Sequence, residues 1–277
     1  MRNEPCWCGS GRKQKKCHKD VLKGSAFANL EQFYNEMGEK VSVNIGCLPC
    51  QKGCAQCCYD HFSITSTEWY YIMSKLYEKY SDSMVEEIID RGYQLWVELQ
   101  EKDPKTAELL QKDLTSKKPI ERSDTAVHQS VFKTLIDSMA GSTHLNHHPC
   151  MFLDKETQSC TIYDIRPTIC RKFGVSYTDV GEERRLEGCD IILEGAEKYM
   201  DEMVDLTEFD EADRGLQQIY LSKYDTIVQD RTYPFFYFCK IHKRDPKLTK
   251  LKILELQRHS LEDVFNFKVS RLKPMGL

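Results

Sequence analysis

A chain of 277 residues with 40% hydrophobic side chains is long enough for one large domain or two modest ones, so it need not rely on metal for folding everywhere. Its net charge of -4 argues against a protein coated in nucleic acid, and no apolar run is long enough to span a bilayer. Thirteen cysteines, an odd number, exclude complete internal pairing. The opening stretch MRNEPCWCGSGRKQKKCHKD is polar and basic where a leader would be apolar, which points to the cytoplasm. In that reducing compartment clustered thiols serve metal or redox chemistry rather than disulfides. A dithiol oxidoreductase would need its CxxC at the end of a strand in a βαβ pattern, and none surrounds Cys47 or Cys54.

In chain order, residues 1–22 form a small knuckle, and Lys23-Gly24-Ser25 a linker into a helix that carries Phe27, Leu30, Phe33 and Tyr34. Five cysteines then fall within CLPCQKGCAQCC, residues 47–58, on irregular backbone. Thr65-Ser66-Thr67-Glu68 reads as a capping box that starts a helix with Trp69, Ile72, Met73, Leu76 and Tyr80 on its core face. A second helix carries Met84, Ile88, Tyr93, Leu95, Trp96 and Leu99, and a third covers residues 124–140 with Val127, Val131, Leu135 and Met139. Cys150, Cys160, Cys170 and Cys189 follow. Residues 193–224 and 247–263 read as further helices, while Val228–Lys240 is aromatic and irregular. The expected fold is mainly α: a helical domain organised around a cysteine-rich metal site over residues 45–190, a helical extension over 191–277, and the N-terminal zinc knuckle.

The net charge hides segregation. Residues 1–24 carry seven Lys/Arg against two acids, which makes the knuckle the basic docking candidate. Residues 190–214, with ten acids against two bases, and the basic residues 240–277 read as solvated helix faces.

The knuckle has the pattern C-x-C-x8-C-H. Cys6, Cys8, Cys17 and His18 supply three thiolates and an imidazole, a closed tetrahedral set for zinc, while Gly9 and Gly11 allow the return turn. With its PCxCGSG start and KKCH end, this stretch resembles the SEC-C motif of translocase tails and many other proteins. The resemblance implies structural zinc on those four residues. It also implies a basic grip, through Arg12, Lys13, Lys15, Lys16 and Lys19, on a protein, ribosome or nucleic-acid surface.

The second group reads Cys50-x3-Cys54-x2-Cys57-Cys58, then Cys150-Met-Phe-Leu153, then Cys160-Thr-Ile-Tyr163-Asp-Ile-Arg166-Pro167-Thr-Ile-Cys170-Arg171, closed by Cys189. It resembles the YkgJ-like CxxCxxCC family, whose members are described as chelating zinc or iron. One extra residue separates Cys50 from Cys54 relative to the family pattern, and Cys47 is additional, so the pattern does not choose between Cys47 and Cys50. The resemblance implies metal ligation by Cys50, Cys54, Cys57, Cys58, Cys150, Cys160, Cys170 and Cys189, as two four-thiolate sites or one [4Fe–4S] cluster with spare thiols. On extended backbone, Cys57 and Cys58 would point apart and either serve two centres or divide ligation and packing. Either metal leaves a negative centre, for which Arg166, Arg171 and Lys172 are the nearby cations. Pro167 fits the start of a helix delivering Cys170. His144, His147 and His148 offer imidazoles that can replace a thiolate. His61, His128, His242 and His259 read as polar or half-buried, and Cys239 as a small buried hydrophobe.

No phosphate loop, dinucleotide fingerprint, HExxH helix or nucleophile elbow is present. The preferred function is a metal-binding scaffold for a partner. The alternatives are an iron–sulfur enzyme, for which Cys54-Ala-Gln-Cys57-Cys58 and the following aromatic helix are loosely similar to flagellin lysine N-methylases, and a metal carrier. Oligomeric state is open.

Overall fold

Helix ends follow local hydrogen-bond chemistry. We describe a computed structural model of the chain, covering residues 3–42, 48–50, 53–115, 134, 137–180, 183–223 and 232–259. Helix α1 spans Ala26–Ser42, α2 Ser66–Lys79, α3 Asp82–Lys102 and α4 Pro104–Thr115. The capping box at α2 forms as expected: the Glu68 amide donates to Thr65 Oγ1 at 3.2 Å, and the Thr65 amide donates to Glu68 Oε2 at 2.9 Å. Ser81 and Asp103 accept from first-turn amides of α3 and α4 in the same way. Later come α5 Thr168–Lys172, α6 Thr207–Lys223, α7 Phe235–Arg244 and α8 Pro246–Arg258, the last with Pro at its first position and Asp245 accepting from the Leu248 amide.

Three small sheets stitch these helices. Strand β1 Ser63–Ile64 pairs antiparallel with β7 Tyr233–Pro234. Strands β2 Leu153–Asp154 and β3 Ser159–Cys160 form a hairpin. In the third sheet, β4 Ser176–Val180 lies between antiparallel β5 Glu183–Leu186 and parallel β6 Val204–Asp205.

One apolar core runs from Val21 to Leu256. Its densest seam is α7 on α3, where Gly92 lacks the side chain that would collide with Cys239 Sγ and Met151 Sδ. Trp69 stacks on Phe238 with centroids 5.4 Å apart, and Trp96 meets Tyr237 edge-on at 5.9 Å. Cys239 is fully buried, as read from sequence, and His242 is buried between Thr249 and Glu86.

Three expectations change. Residues 235–240, part of the stretch Val228–Lys240 expected to be irregular, belong to helix α7; Phe235 through Cys239 are all buried, and the polar residues that mark its outer face, Lys240, Lys243 and Arg244, come only near its end. The stretch from residue 193 is broken into short turns and β6 before α6 begins at Thr207. Met84, read as one of the apolar positions of α3, is 47% exposed beside the Ser81 cap. Of the helix expected over 124–140, residues 124–133, 135 and 136 lie outside the described residues, as do Cys47 and His128; 137–140 are helical and Met139 is buried.

Candidate metal centres

Two tight donor groups, each with all ligand atoms within 4.8 Å of one another, occur among the described residues: Cys6, Cys8, Cys17 and His18, and Glu98, His144 and His148. In the first, Cys6 Sγ is 3.1 Å from His18 Nδ1, and Cys8 Sγ is 3.6 Å from Cys17 Sγ. A tetrahedral zinc thiolate has edges of about 3.8 Å given Zn–S bonds of about 2.3 Å, so this set closes on one ion with little movement. Gly9 and Gly11, with φ of 77° and 69°, make the turn that closes it. Nδ1 faces the thiols, and Nε2 lies 2.6 Å from Glu31 Oε1 on α1. That is a carboxylate–histidine arrangement, which fixes the ring and raises its basicity as a ligand. Tyr71 donates to Glu31 Oε2 at 3.2 Å, and Lys75 stands 3.8 Å from the same oxygen. Glu31 escaped the sequence reading because it looks like any exposed helical acid.

The thiols of the knuckle differ. Burial pushes Cys6 up to about 11. Burial also opposes ionisation of Cys8, but hydrogen bonds from Ser10, Cys6 and Cys17 outweigh it and bring that thiol down to about 6. The knuckle is docked rather than loosely attached: His18 meets Glu31 on α1, and the Leu22 amide donates to the Gln257 carbonyl on α8 at 2.9 Å, while inside it Trp7 Nε1 and Gln14 Nε2 donate to the Val21 carbonyl at 3.2 and 3.0 Å.

The second cysteine group gathers around a cavity of about 900 Å³, whose wall includes Cys54, Cys57, Cys58, Cys150, Cys160 and Cys170. Local structure explains each approach. Residues Gln56–Tyr59 form a one-turn 3-10 helix, and the Cys150 amide donates to the Cys58 carbonyl, joining stretches ninety-two residues apart at 2.6 Å. The β2–β3 hairpin, with Asp154 accepting from two turn amides, presents Cys160. Pro167 caps α5, which carries Cys170, and the Thr168 amide at its start donates to Glu68 Oε1 at 2.7 Å. Glu68, only 3% exposed, also accepts from Tyr34, so one carboxylate ties the cap of α2 to the Cys170 helix. Cys50 is not part of that wall but is in charge interaction with Cys189, Cys54 and Cys57 and packs against Gly174, where a β-carbon would overlap its sulfur.

The expectation that Cys57 and Cys58 point apart on extended backbone is corrected by the 3-10 turn, in which the two thiols hydrogen-bond to each other. That bond lowers Cys57 and, with burial, raises Cys58. Burial pushes Cys50 and Cys150 up to about 12 and raises Cys160 and Cys170 as well. These thiols become thiolates when a soft cation takes the place of the proton. The donor chemistry therefore fits zinc or an iron–sulfur centre, although the core thiols form no tight group of three among the described residues.

The cations divide. Arg166, stacked 3.7 Å over Tyr163, acts electrostatically on Cys50, Cys57, Cys160 and Cys170 and lines the cavity, as does Arg91, which sequence reading missed. Arg171 instead braces the loop, donating to the carbonyls of Arg166 and Asp164 at 2.7 and 2.6 Å beneath Tyr34. Lys172 is engaged by Glu187 at 2.9 Å and Asp210 at 3.1 Å. Among the histidines offered as thiolate substitutes, His147 is exposed, while His144 and His148 converge on Glu98. His61 Nε2 lies 3.2 Å from the Leu145 carbonyl and 2.7 Å from that of His148, pinning that turn.

Taken together, these features define a cysteine-rich metal-binding protein. Residues 49–190 match the CxxCxxCC family, described as "Putative zinc- or iron-chelating domain", and the chain belongs to that family. Residues 2–20 match the SEC-C motif. No curated protein and no solved structure matches the chain.

Proposed function

We propose that this is a cytoplasmic metal-binding protein with one closed zinc knuckle and one open thiolate centre, and that it acts as a scaffold whose basic knuckle docks a protein or nucleic-acid partner. The observation that carries the reading is the convergence on one cavity of thiols from three separated stretches: Cys54, Cys57 and Cys58; Cys150 and Cys160; and Cys170. Gathering that many thiols, five of them half-buried and Cys54 exposed, beside Arg166 has no value for packing that alanine or valine would not supply. The twelve described cysteines are all free, as a reducing cytoplasm requires, and no helix among the described residues is long and apolar enough to cross a membrane. Arg12, Lys13, Lys15, Lys16 and Lys19 are exposed on the folded knuckle and supply the docking charge.

A second reading, an iron–sulfur enzyme, is favoured by a different observation. The core thiols are spread wider than a lone tetrahedral ion holds its ligands, and a cavity of about 900 Å³ opens beside them. Anaerobic purification followed by elemental analysis and a visible spectrum tests both readings. Colourless protein whose zinc falls when Cys57 and Cys170 are replaced by serine supports the scaffold. Broad visible charge-transfer absorption with iron and sulfide supports the cluster. Metal content unchanged by those replacements refutes the thiolate centre altogether.

A further inference from the structure

We propose that Glu98, His144 and His148 form a separate mononuclear site for a divalent first-row transition cation, with nitrogen and oxygen ligands and open positions facing the cavity. Glu98 is on α3, and the histidines flank the turn Leu145–His147, so the three donors come from two elements. Glu98 Oε2 lies 3.7 Å from His144 Nε2 and 3.6 Å from His148 Nε2. Those separations are long for hydrogen bonds. They approach the edge of about 3.4 Å that ligands adopt around one tetrahedral ion with bonds of about 2.05 Å. The imidazole rings are 4.4 Å apart between centroids and tilted by 55°, so they converge rather than stack.

A second observation points to a ligand. The His144 side chain is 9% exposed, and its Nε2 is buried without a hydrogen-bond partner among the described residues. A buried imidazole nitrogen without a partner is destabilising unless something accepts its lone pair, and a cation does so directly. The surroundings hold the group in place. Gln94 donates to Glu98 Oε1 at 3.2 Å, leaving Oε2 for the histidines, and Lys102, itself mostly exposed, stands 3.7 Å from Oε2. His61 fixes the backbone of the histidine turn through the Leu145 and His148 carbonyls, which makes it a positioning residue. Glu98 and His148 both line the cavity that the thiols line, so water or a small substrate in that cavity can complete the coordination. Two imidazoles and one carboxylate suit Zn²⁺ or Fe²⁺ and lack the soft thiolates of the other two centres.

The site does not rest on the thiolate reading. Cobalt(II) is the probe, because its spectrum separates nitrogen and oxygen ligation from thiolate ligation. Full-length protein dialysed against Co²⁺ should bind one more ion than the Glu98→Gln and His148→Gln variants. The wild-type-minus-variant spectrum should show weak ligand-field bands without sulfur charge transfer. Affinity at that site should fall on the order of 100-fold, while exposed His147→Gln keeps it. Independently of any variant, saturating Co²⁺ should shift the imidazole resonances of His144 and His148 in the unaltered chain. Equal stoichiometry in all chains, a sulfur band in the difference spectrum, or unmoved imidazole resonances each overturn the site. Sulfur charge transfer common to every variant reports the thiol centres separately, so failure of one reading is distinguishable from failure of the other.

Discussion

The knuckle and the cavity use the same ligand type in opposite ways. In the knuckle, four donors within thirteen residues close to 3.1–3.6 Å contacts on a segment with almost no core of its own. Around the cavity, donors drawn from residues 54–170 are held apart by helices, a hairpin and a buried carboxylate that are packed before any ion arrives. Short loops cost little entropy to close, so a local set can be drawn together by the ion itself, whereas a long-range set is placed by the fold. Metal should therefore determine the structure of the first region, and structure the metal occupancy of the second.

The strongest way to break that contrast is Cys17→Ser. Structural zinc supplies about 10 kcal/mol or more of folding free energy to small fingers, so residues 3–20 should unfold locally and become protease-sensitive, with one zinc lost and the core metal retained. Loss of the core metal as well would show that the two regions are not independent. Glu68→Gln acts on the other side: a buried carboxylate accepting from Thr65, Tyr34 and Thr168 is replaced by a group with one acceptor and an unwanted donor. Urea denaturation should show a loss of about 2–3 kcal/mol, and core metal content should drop while the knuckle zinc stays.

Gly174→Ala should cost about 1–3 kcal/mol, because φ is +81° and the new β-carbon overlaps Cys50 Sγ. A thermal melt measures that loss, and a drop in core metal with it would place Cys50 among the ligands. Glu31→Gln should weaken knuckle zinc by about 10–100-fold in a chelator competition, because it withdraws the carboxylate from His18 without removing a ligand. The smallest effect is a proton count. At pH 7 Cys8, near 6, is already ionised and releases no proton to zinc, whereas Cys6, near 11, releases one. Below about pH 6 Cys8 is protonated too, as is His18, which its bond to Glu31 raises above the ordinary imidazole value, so release should grow and affinity fall more steeply, as calorimetry in buffers of different ionisation enthalpy would record.

What was legible in the sequence was local. The capping box, the α2 and α3 faces and the knuckle ligands are all set by residues within a few turns of each other. Helix α7 was hidden because its first five residues, Phe235–Cys239, are all buried, and the polar residues that mark a face come only near its end, at Lys240, Lys243 and Arg244. Glu98 was hidden for another reason: forty-six residues separate it from His144, and only the packed turn of residues 145–147 brings them within range. Glu31 and Arg91 were hidden likewise, as ordinary charges on amphipathic helices whose direction depends on what docks there. The Cys57–Cys58 pair was read on the wrong backbone, since nothing nearby in sequence distinguishes one 3-10 turn from extended chain.

His18, through Glu31, and Leu22, through the Gln257 carbonyl, bolt the basic knuckle to α1 and α8 at two separate points. A partner gripped there, as proposed, would be held at a fixed bearing to the rest of the molecule, like a tool in a clamped handle rather than a bait on a string. Lengthening residues 23–25 with glycine and serine would add no reach while those bolts hold, so the bearing of the knuckle to the mouth of the cavity is set by the fold and not by the linker.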